Sequence, residues 1–273
     1  MKGWLPQTLA RLLLPGLVLV LWESVAIHLG KPGVLPRLEN VLAILIQPAA
    51  RVLTDSSLLE CIYISLARVI VAFSMGVAIA VPLGILMGRY QVIKSLVDPL
   101  IELLRPVPPL AWVPLILAWL GITSIGEILP WRVESVLLWN MQVSMLIIIM
   151  IGIFFPVLLN TVYGVQSIPP QIIEAAQTLG AREQALLMRV ILPMALPSIL
   201  TGVRVGLGVG WMCLVAAEML PGSTAGLGYL IWYAHELMRT DIVLAGIIII
   251  GLIGTVFDQV LRLIASKYFS WVE

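Results

Sequence analysis

The sequence predicts an all-α membrane protein with about six transmembrane helices. Three observations predict it. The 273-residue chain is 60% hydrophobic and 11% charged, with a mean hydropathy of +1.06, whereas an ordinary soluble domain is about a quarter charged. Its apolar residues gather into runs near the roughly 20 residues that a helix needs to cross a bilayer. No strand-period alternation of comparable length competes with those runs, and backbone groups that find no water in lipid favour helices.

The spans follow in order. The N-terminus, "MKGWLPQTLARLLLPGLVLVLWESVAIHLG", opens like a signal peptide. Its apolar run exceeds the usual h-region of about 7–15 residues and no clear A-x-A site follows, so it reads as a retained first span, Leu12–Leu29. The second span is Leu59–Gly88, the third about Leu100–Ile122, the fourth about Val143–Gly164, the fifth about Pro197–Leu220 and the sixth about Ile242–Ile264. With the N-terminus inside, Lys2, Arg11, Arg89, Lys94, Arg182, Arg189, Arg262 and Lys267 fall on the cytoplasmic side, against Lys31, Arg37, Arg51, Arg132 and Arg239 outside. This bias puts both termini in the cytoplasm. It leaves residues 30–58, 123–142 and 220–241 external and a loop of about 166–196 cytoplasmic, all within one domain, 1–273.

The outer segments carry structure of their own. "LENVLAILIQPAARVL" sets Leu38, Val41, Leu42, Leu45 and Ile46 on one helical face, ended or kinked by Pro48. "EILPWRVESVLLWN", Glu127–Asn140, with Trp131 and Trp139, reads either as a short interfacial helix or as a solvated linker.

The charged island "EAAQTLGAREQALLMRVILPMALPSI", Glu174–Ile199, interrupts the apolar blocks. Pro169 and Pro170 suit the first turn of a helix over Gln171–Leu179. Gly180 suits its C-terminal cap. A second helix runs from near Ala181 to about Leu192, and Pro193 and Pro197 mark a turn into the fifth span. A helix, sharp turn and helix of this length cannot bury themselves. They are either a solvated hairpin or an elbow that inserts into a partner, with small Ala175 and Ala176 permitting close approach and Glu174 offering an anion.

The island resembles the EAA signature of permease subunits in ATP-binding-cassette importers: E-A-A, three residues, G, nine residues, I-x-L-P. Glu174, Ala175, Ala176, Gly180, Leu192 and Pro193 match, with Val190 where isoleucine is usual. "SLARVIVAFSMGVAIAVPLGILMG", "LLRPVPPLAWVPL", "FFPVLLNTVYGV" and "AGLGYLIW" are similar to the nitrate, sulfonate, taurine and bicarbonate branch. The stretch Ser124–Gln142 is longer than usual for that branch, which puts its docking details in doubt.

The resemblance implies a type I importer permease fold. It implies that Glu174, Ala175, Ala176, Gly180 and Ala181 form a coupling helix seated in a cytoplasmic ATPase. It implies a second permease copy as a homodimer, an external substrate-binding protein, and the inner membrane of a prokaryote. ATP and Mg would be bound by the partner ATPase, with no cofactor in this chain, which has no G-x-x-x-x-G-K-[ST] loop. The cargo class is a small anion, or else an organic solute such as a thiamine-precursor-like compound. An ion-coupled carrier working alone would leave the elbow unexplained. An enzyme would need convergent catalytic groups, but there is no H-E-x-x-H or G-x-S-x-G, and only His28 and His235, far apart, supply imidazole.

Within the spans, Pro106, Pro108, Pro109 and Pro114 crowd the third. Irregular backbone there either lines a water-filled pathway or is buried against neighbours. Gly202, Gly206 and Gly210 share one face of the fifth span, for packing within the subunit or for a dimer seam, and Gly84 and Gly88 make a weaker pair. Arg68, Arg204 and Glu218 are the charges most embedded in apolar sequence. They are pathway candidates for an anion, or else structural pairs or snorkelling groups. Glu23 and His28 are too far round the helix to pair, and His235 reads as an exposed loop residue. Asp241 reads as a cap for the sixth span, and Asp258 and Arg262 can pair at i, i+4. Cys61 and Cys213 lie in apolar runs, unsuited to a disulfide framework or metal cluster. The net charge of +1 gives no basic footprint for nucleic acid.

Overall fold

A computed structural model of the chain describes residues 7–51, 53, 56–128, 136–220 and 222–268. In chain order the helices are α1 (Gln7–Leu29), α2 (Leu38–Ile46), α3 (Leu58–Arg89), α4 (Gln91–Leu104), α5 (Val113–Leu120), α6 (Ile125–Ile128), α7 (Val136–Trp139), α8 (Val143–Gln166), α9 (Pro170–Thr178), α10 (Glu183–Leu186), α11 (Leu192–Glu218), α12 (Leu227–Glu236) and α13 (Thr240–Tyr268). A 3-10 turn occupies Pro109–Trp112 and a π turn Leu187–Ile191. Among the described residues there is no strand, only isolated bridges that close the loops Arg51–Ser57 and Ser124–Gln142.

Among the described residues four helices are long and apolar enough to cross a membrane: α3, α8, the continuous run Glu183–Glu218, and Thr240–Lys267 of α13. The expected first span is α1, whose apolar stretch is Leu13–Leu29. The expected third span is not one helix. It begins earlier, at Gln91, and breaks into α4 and the segment Pro109–Leu120, bent by 87°. Pro106, Pro108 and Pro109 remove three backbone donors at the break, so the helical ladder cannot continue through it. The fifth span also differs. Pro193 and Pro197 do not turn the chain, which stays helical over Glu183–Glu218. The π turn just before Pro193 widens the backbone where the proline ring would otherwise strike the preceding turn.

The core forms around α8. Thirteen of its 24 residues are buried, and α3 and α11 grip it from different sides. Gly202, Gly206 and Gly210 face α8, so the structure places them in packing within the subunit. A Cβ on Gly202 would lie 2.7 Å from Asn160 Cβ, and one on Gly206 2.9 Å from Val157 Cγ2 and 3.0 Å from the Ile153 carbonyl. A Cβ on Gly210 would lie 2.5 Å from Ile153 Cγ1. Gly84 and Gly88 do the same on α3: added Cβ atoms would lie 2.6 Å from Thr161 Cβ and 2.5 Å from Val165 Cβ. They are no weaker a pair than the glycines of α11. Without side chains, the helix axes approach closely enough for dispersion to hold them where no hydrophobic effect acts between helices. Gly206→Val is expected to lower thermal stability in detergent by about 1–3 kcal/mol through overpacking. Gly251→Ala, in open space on α13, should be neutral or slightly stabilising. Equal unfolding midpoints for the two variants would refute this packing account.

Smaller expectations resolve as follows. α2 ends at Ile46, before Pro48, and buries Val41; Leu42 and Ile46 are exposed, so the buried face is narrower than the sequence suggested. Glu23 does not pair with His28. Its carboxylate accepts the Leu38 N–H at 2.9 Å, satisfying an orphan donor at the start of α2. His235 is exposed, but on the last turn of α12 beside Trp232 rather than in a loop. Asp241 sits inside the first turn of α13, not at its cap, and pairs with Arg239 at 2.7 Å. Cys61 and Cys213 are buried free thiols. Trp131 and Arg132 lie outside the described residues. The described parts of that segment are α6 and α7, closed at the base by Ile125 N–H to the Met141 carbonyl at 2.8 Å, with Gly126 against Trp139.

Candidate functional site

The elbow between α8 and α11 follows from local chemistry. Ile168, buried, fixes its entry, and Pro169 and Pro170 start α9. α9 ends one residue before the expected Leu179, in a Schellman motif. The Gly180 N–H donates to the Gln177 carbonyl at 2.9 Å and the Ala181 N–H to the Ala176 carbonyl at 3.0 Å. Gly180 has φ +82°, where a Cβ is penalised, but the space around it is open. Glycine is therefore needed here for its backbone and not for room.

Ile173 and Ala176 pack inward, while Glu174 and Ala175 are exposed. Leu179, at the tip, is 89% exposed. A hollow of about 470 Å³ lies beside it, lined by Ala176, Leu179, Gly180, Ala181, Arg182, Ala185, Arg189 and Val190. An apolar side chain thus stands exposed at the tip, next to a hollow whose lining includes Arg182 and Arg189.

The second arm is anchored by Leu186 and Ile191, both fully buried. Instead of a helix over Ala181–Leu192, the structure has α10, the π turn and then α11 without interruption. Arg89, at the end of α3, pairs with Glu183 at 3.0 Å, and the Tyr90 hydroxyl donates to the same oxygen at 3.0 Å. That carboxylate pushes the Tyr90 phenol above its ordinary pKa. The sequence reading missed this lock. Its only signal was the acidic Glu183 in a basic neighbourhood, and an exposed pair of this kind is worth little energetically.

At the far end of α11 lies a buried polar knot. Arg68 and Glu218 pair at 2.8 Å with essentially no exposed side chain. Arg68 also donates to the Asn140 carbonyl at 2.6 and 2.9 Å and to the Ala225 carbonyl at 2.8 Å. Ser65 donates its hydroxyl to Glu218 and accepts the Leu227 N–H at 2.9 Å. The Gly228 N–H donates to Glu218 at 2.9 Å. Added Cβ atoms on Gly226 and Gly228 would collide with the Glu218 carboxylate and the Val215 carbonyl, respectively. The knot ties together α3, the residue that follows α7, α11 and the start of α12. Arg68 and Glu218 are thus consumed by each other and by backbone, with no surface left for a passing solute. The sequence named both residues but not Ser65 or the two glycines of "AGLG", whose spacing lets the backbone approach the carboxylate.

The remaining candidates are accessible. Pro108 is exposed and Pro109 half-buried at the break after α4. Arg204 pairs with Asp258 at 2.5 Å, and Asp258 also accepts from Arg262 at 3.0 Å, the expected i, i+4 partner. These three line a groove of about 700 Å³ between α11 and α13. Among the described residues no three His, Cys, Asp or Glu side chains are grouped to hold a metal ion.

The described residues form a helical protein with several candidate membrane spans, in which one continuous helix joins an exposed elbow to a buried ion pair at its far end. The chain belongs to the family of binding-protein-dependent transport system inner membrane components, whose profile matches residues 80–270. It is 52% identical over 97% of its length to a putative ABC transporter permease of Methanocaldococcus jannaschii, covering 92% of that protein. It is 39% identical over 93% of its length to the taurine transport system permease of Escherichia coli, covering 86% of it. It is 32% identical over 98% of its length to a putative aliphatic sulfonates transport permease of Bacillus subtilis, covering 88% of it. The chain is therefore a non-catalytic ABC transporter permease subunit. Its family works with a separate ATPase and a substrate-binding protein.

Proposed function

We propose that this chain forms the translocation pathway of an ATP-driven importer for a small anion of the sulfonate class. The supporting observation is the elbow: a rigidly capped α9 with an exposed Leu179, continuous through the second arm with a helix that runs from Glu183 to Glu218. About 36 residues of helix at 1.5 Å rise per residue make a rod of roughly 54 Å. A displacement at its elbow end is therefore felt at its far end. In this reading the elbow is cytoplasmic and Glu174, Ala175, Ala176, Gly180 and Ala181 meet the ATPase, which binds ATP and Mg. Both termini are cytoplasmic, in the inner membrane of a prokaryote. A second copy of the chain completes the pathway, and an external binding protein delivers cargo near α6, α7 and α12. The taurine and sulfonate relatives support the cargo class. Of the charged pathway candidates, Arg204 keeps an accessible face, whereas Arg68 and Glu218 act as a fixed strut.

The test is ATPase activity and uptake by the complete complex, reconstituted in liposomes with its binding protein. Taurine, an alkanesulfonate, nitrate and bicarbonate are added one at a time. Stimulation by taurine or the alkanesulfonate, only with binding protein present, is the expected result. Stimulation by nitrate or bicarbonate alone would move the cargo class. A chain that assembles with no ATPase would overturn the reading of the elbow.

A further inference from the structure

Two guanidinium groups share a single carboxylate in the groove between α11 and α13. Asp258 Oδ1 accepts from Arg204 Nε, and Oδ2 from an Arg262 Nη. A guanidinium carries five N–H donors, and Asp258 takes one from each arginine. The triad keeps one net positive charge. Neither guanidinium is withdrawn from the surface: the side chains of Arg204 and Arg262 are 43% and 66% exposed.

The surroundings leave space for a guest. Nothing lies within 4 Å of a Cβ added to Gly208, next to Arg204 along the groove. Behind the ion pair a smaller hollow of about 70 Å³ reaches Trp211 and Gly254. The position is also costly. Arg204 stands 14 residues before Glu218, about 21 Å along the helix from the buried knot. A charge within a span is expected to be paired or to face a water-filled cavity. Arg204 is paired and borders an open groove, whereas Arg68 and Glu218 are paired but fully buried.

We propose that this groove is an oxyanion site. A sulfonate or phosphate group displaces Asp258 from Arg204 and Arg262, whose forked donors match such groups. Asp258 is the internal competitor: it holds the arginines when the site is empty and sets the affinity when it fills. The chemistry is common to the anionic cargo, a source that rests on the importer reading above, and to the headgroup of an acidic lipid.

The experiment is calorimetric titration of ethanesulfonate into the permease–ATPase complex in nanodiscs of neutral phosphatidylcholine. Parallel nanodiscs contain phosphatidylglycerol, and the retained lipid is counted by native mass spectrometry. Binding that weakens at least tenfold in Arg204→Gln/Arg262→Gln and strengthens severalfold in Asp258→Asn is expected for cargo. No sulfonate binding, but phosphatidylglycerol held by the wild type and lost from the double variant, supports the same site with lipid as its source. If the double variant fails to assemble, Arg204→Lys keeps the charge but loses the fork, and it should weaken binding. Sulfonate and lipid binding both absent, or both indifferent to these substitutions, overturns the site. Failure of the importer reading would show separately, as no binding-protein-dependent uptake of any anion tested.

Discussion

Gly180→Pro is expected to abolish coupled uptake while the protein still inserts into the membrane. Proline holds φ near −65°, whereas Gly180 has φ +82°. Proline also deletes the N–H that donates to the Gln177 carbonyl. Both effects destroy the Schellman motif that sets the angle between α9 and the second arm. Nothing packs against Gly180, so the damage stays local to the elbow. Gly180→Ala should be milder, since a left-handed alanine costs about 1–2 kcal/mol. Gly180→Asn should be milder still, because asparagine tolerates this conformation. Uptake should fall in the order Asn, Ala, Pro, by at least tenfold for proline, with basal ATPase turnover retained. A bulky replacement of Ala176, whose carbonyl closes the same motif, should uncouple in the same way. Normal uptake in Gly180→Pro liposomes would refute the coupling role of α9.

Breaking the polar knot is expected to have the largest effect on stability. Arg68→Met leaves Glu218 buried beside Ser65 and Gly228 without a cation, and it removes the guanidinium donors to the carbonyls of Asn140 and Ala225. Removing one partner of a buried pair costs about 3–5 kcal/mol. Glu218→Gln keeps the shape but leaves Arg68 uncompensated, and should cost a similar amount. The double variant Arg68→Met/Glu218→Gln restores neutrality, so its cost should fall short of the sum by about 1 kcal/mol or more. The midpoint of thermal unfolding in detergent, for the four proteins of this cycle, measures the shortfall. Strict additivity would mean that the two charges do not act as a pair.

The position of the knot gives it a mechanical meaning. Glu218 ends the same helix that begins beside the elbow. Arg68 lies on α3, whose far end reaches back to the elbow through Arg89 and Glu183. α3 and the α10–α11 run are therefore tied at both ends, with α8 between them. Of the two ties, the buried one is strong and the exposed one weak. Motion of the elbow relative to α3 would release the Arg89–Glu183 contact long before the knot.

The sequence alone determined the features that depend on composition and local rules. Long apolar runs had to become helices, because lipid offers the backbone no other partner; α3, α8 and α13 match their predicted spans within a few residues. The elbow was readable from Pro169, Pro170 and Gly180, since each imposes its own backbone geometry. Tertiary structure decided the rest. Whether prolines break a span depends on what surrounds them: three close together split the third span, while Pro193 follows a π turn that relieves its clash and Pro197 lies within the unbroken α11. Which way a glycine face points depends on its neighbour, and α8 claimed the faces of both α3 and α11. Arg68 and Glu218 stand 150 residues apart, and nothing in either local sequence names the other. Only the fold brings them together, and burial in a low-dielectric interior then makes their pairing obligatory, while Arg204, on an open groove, keeps donors for something else.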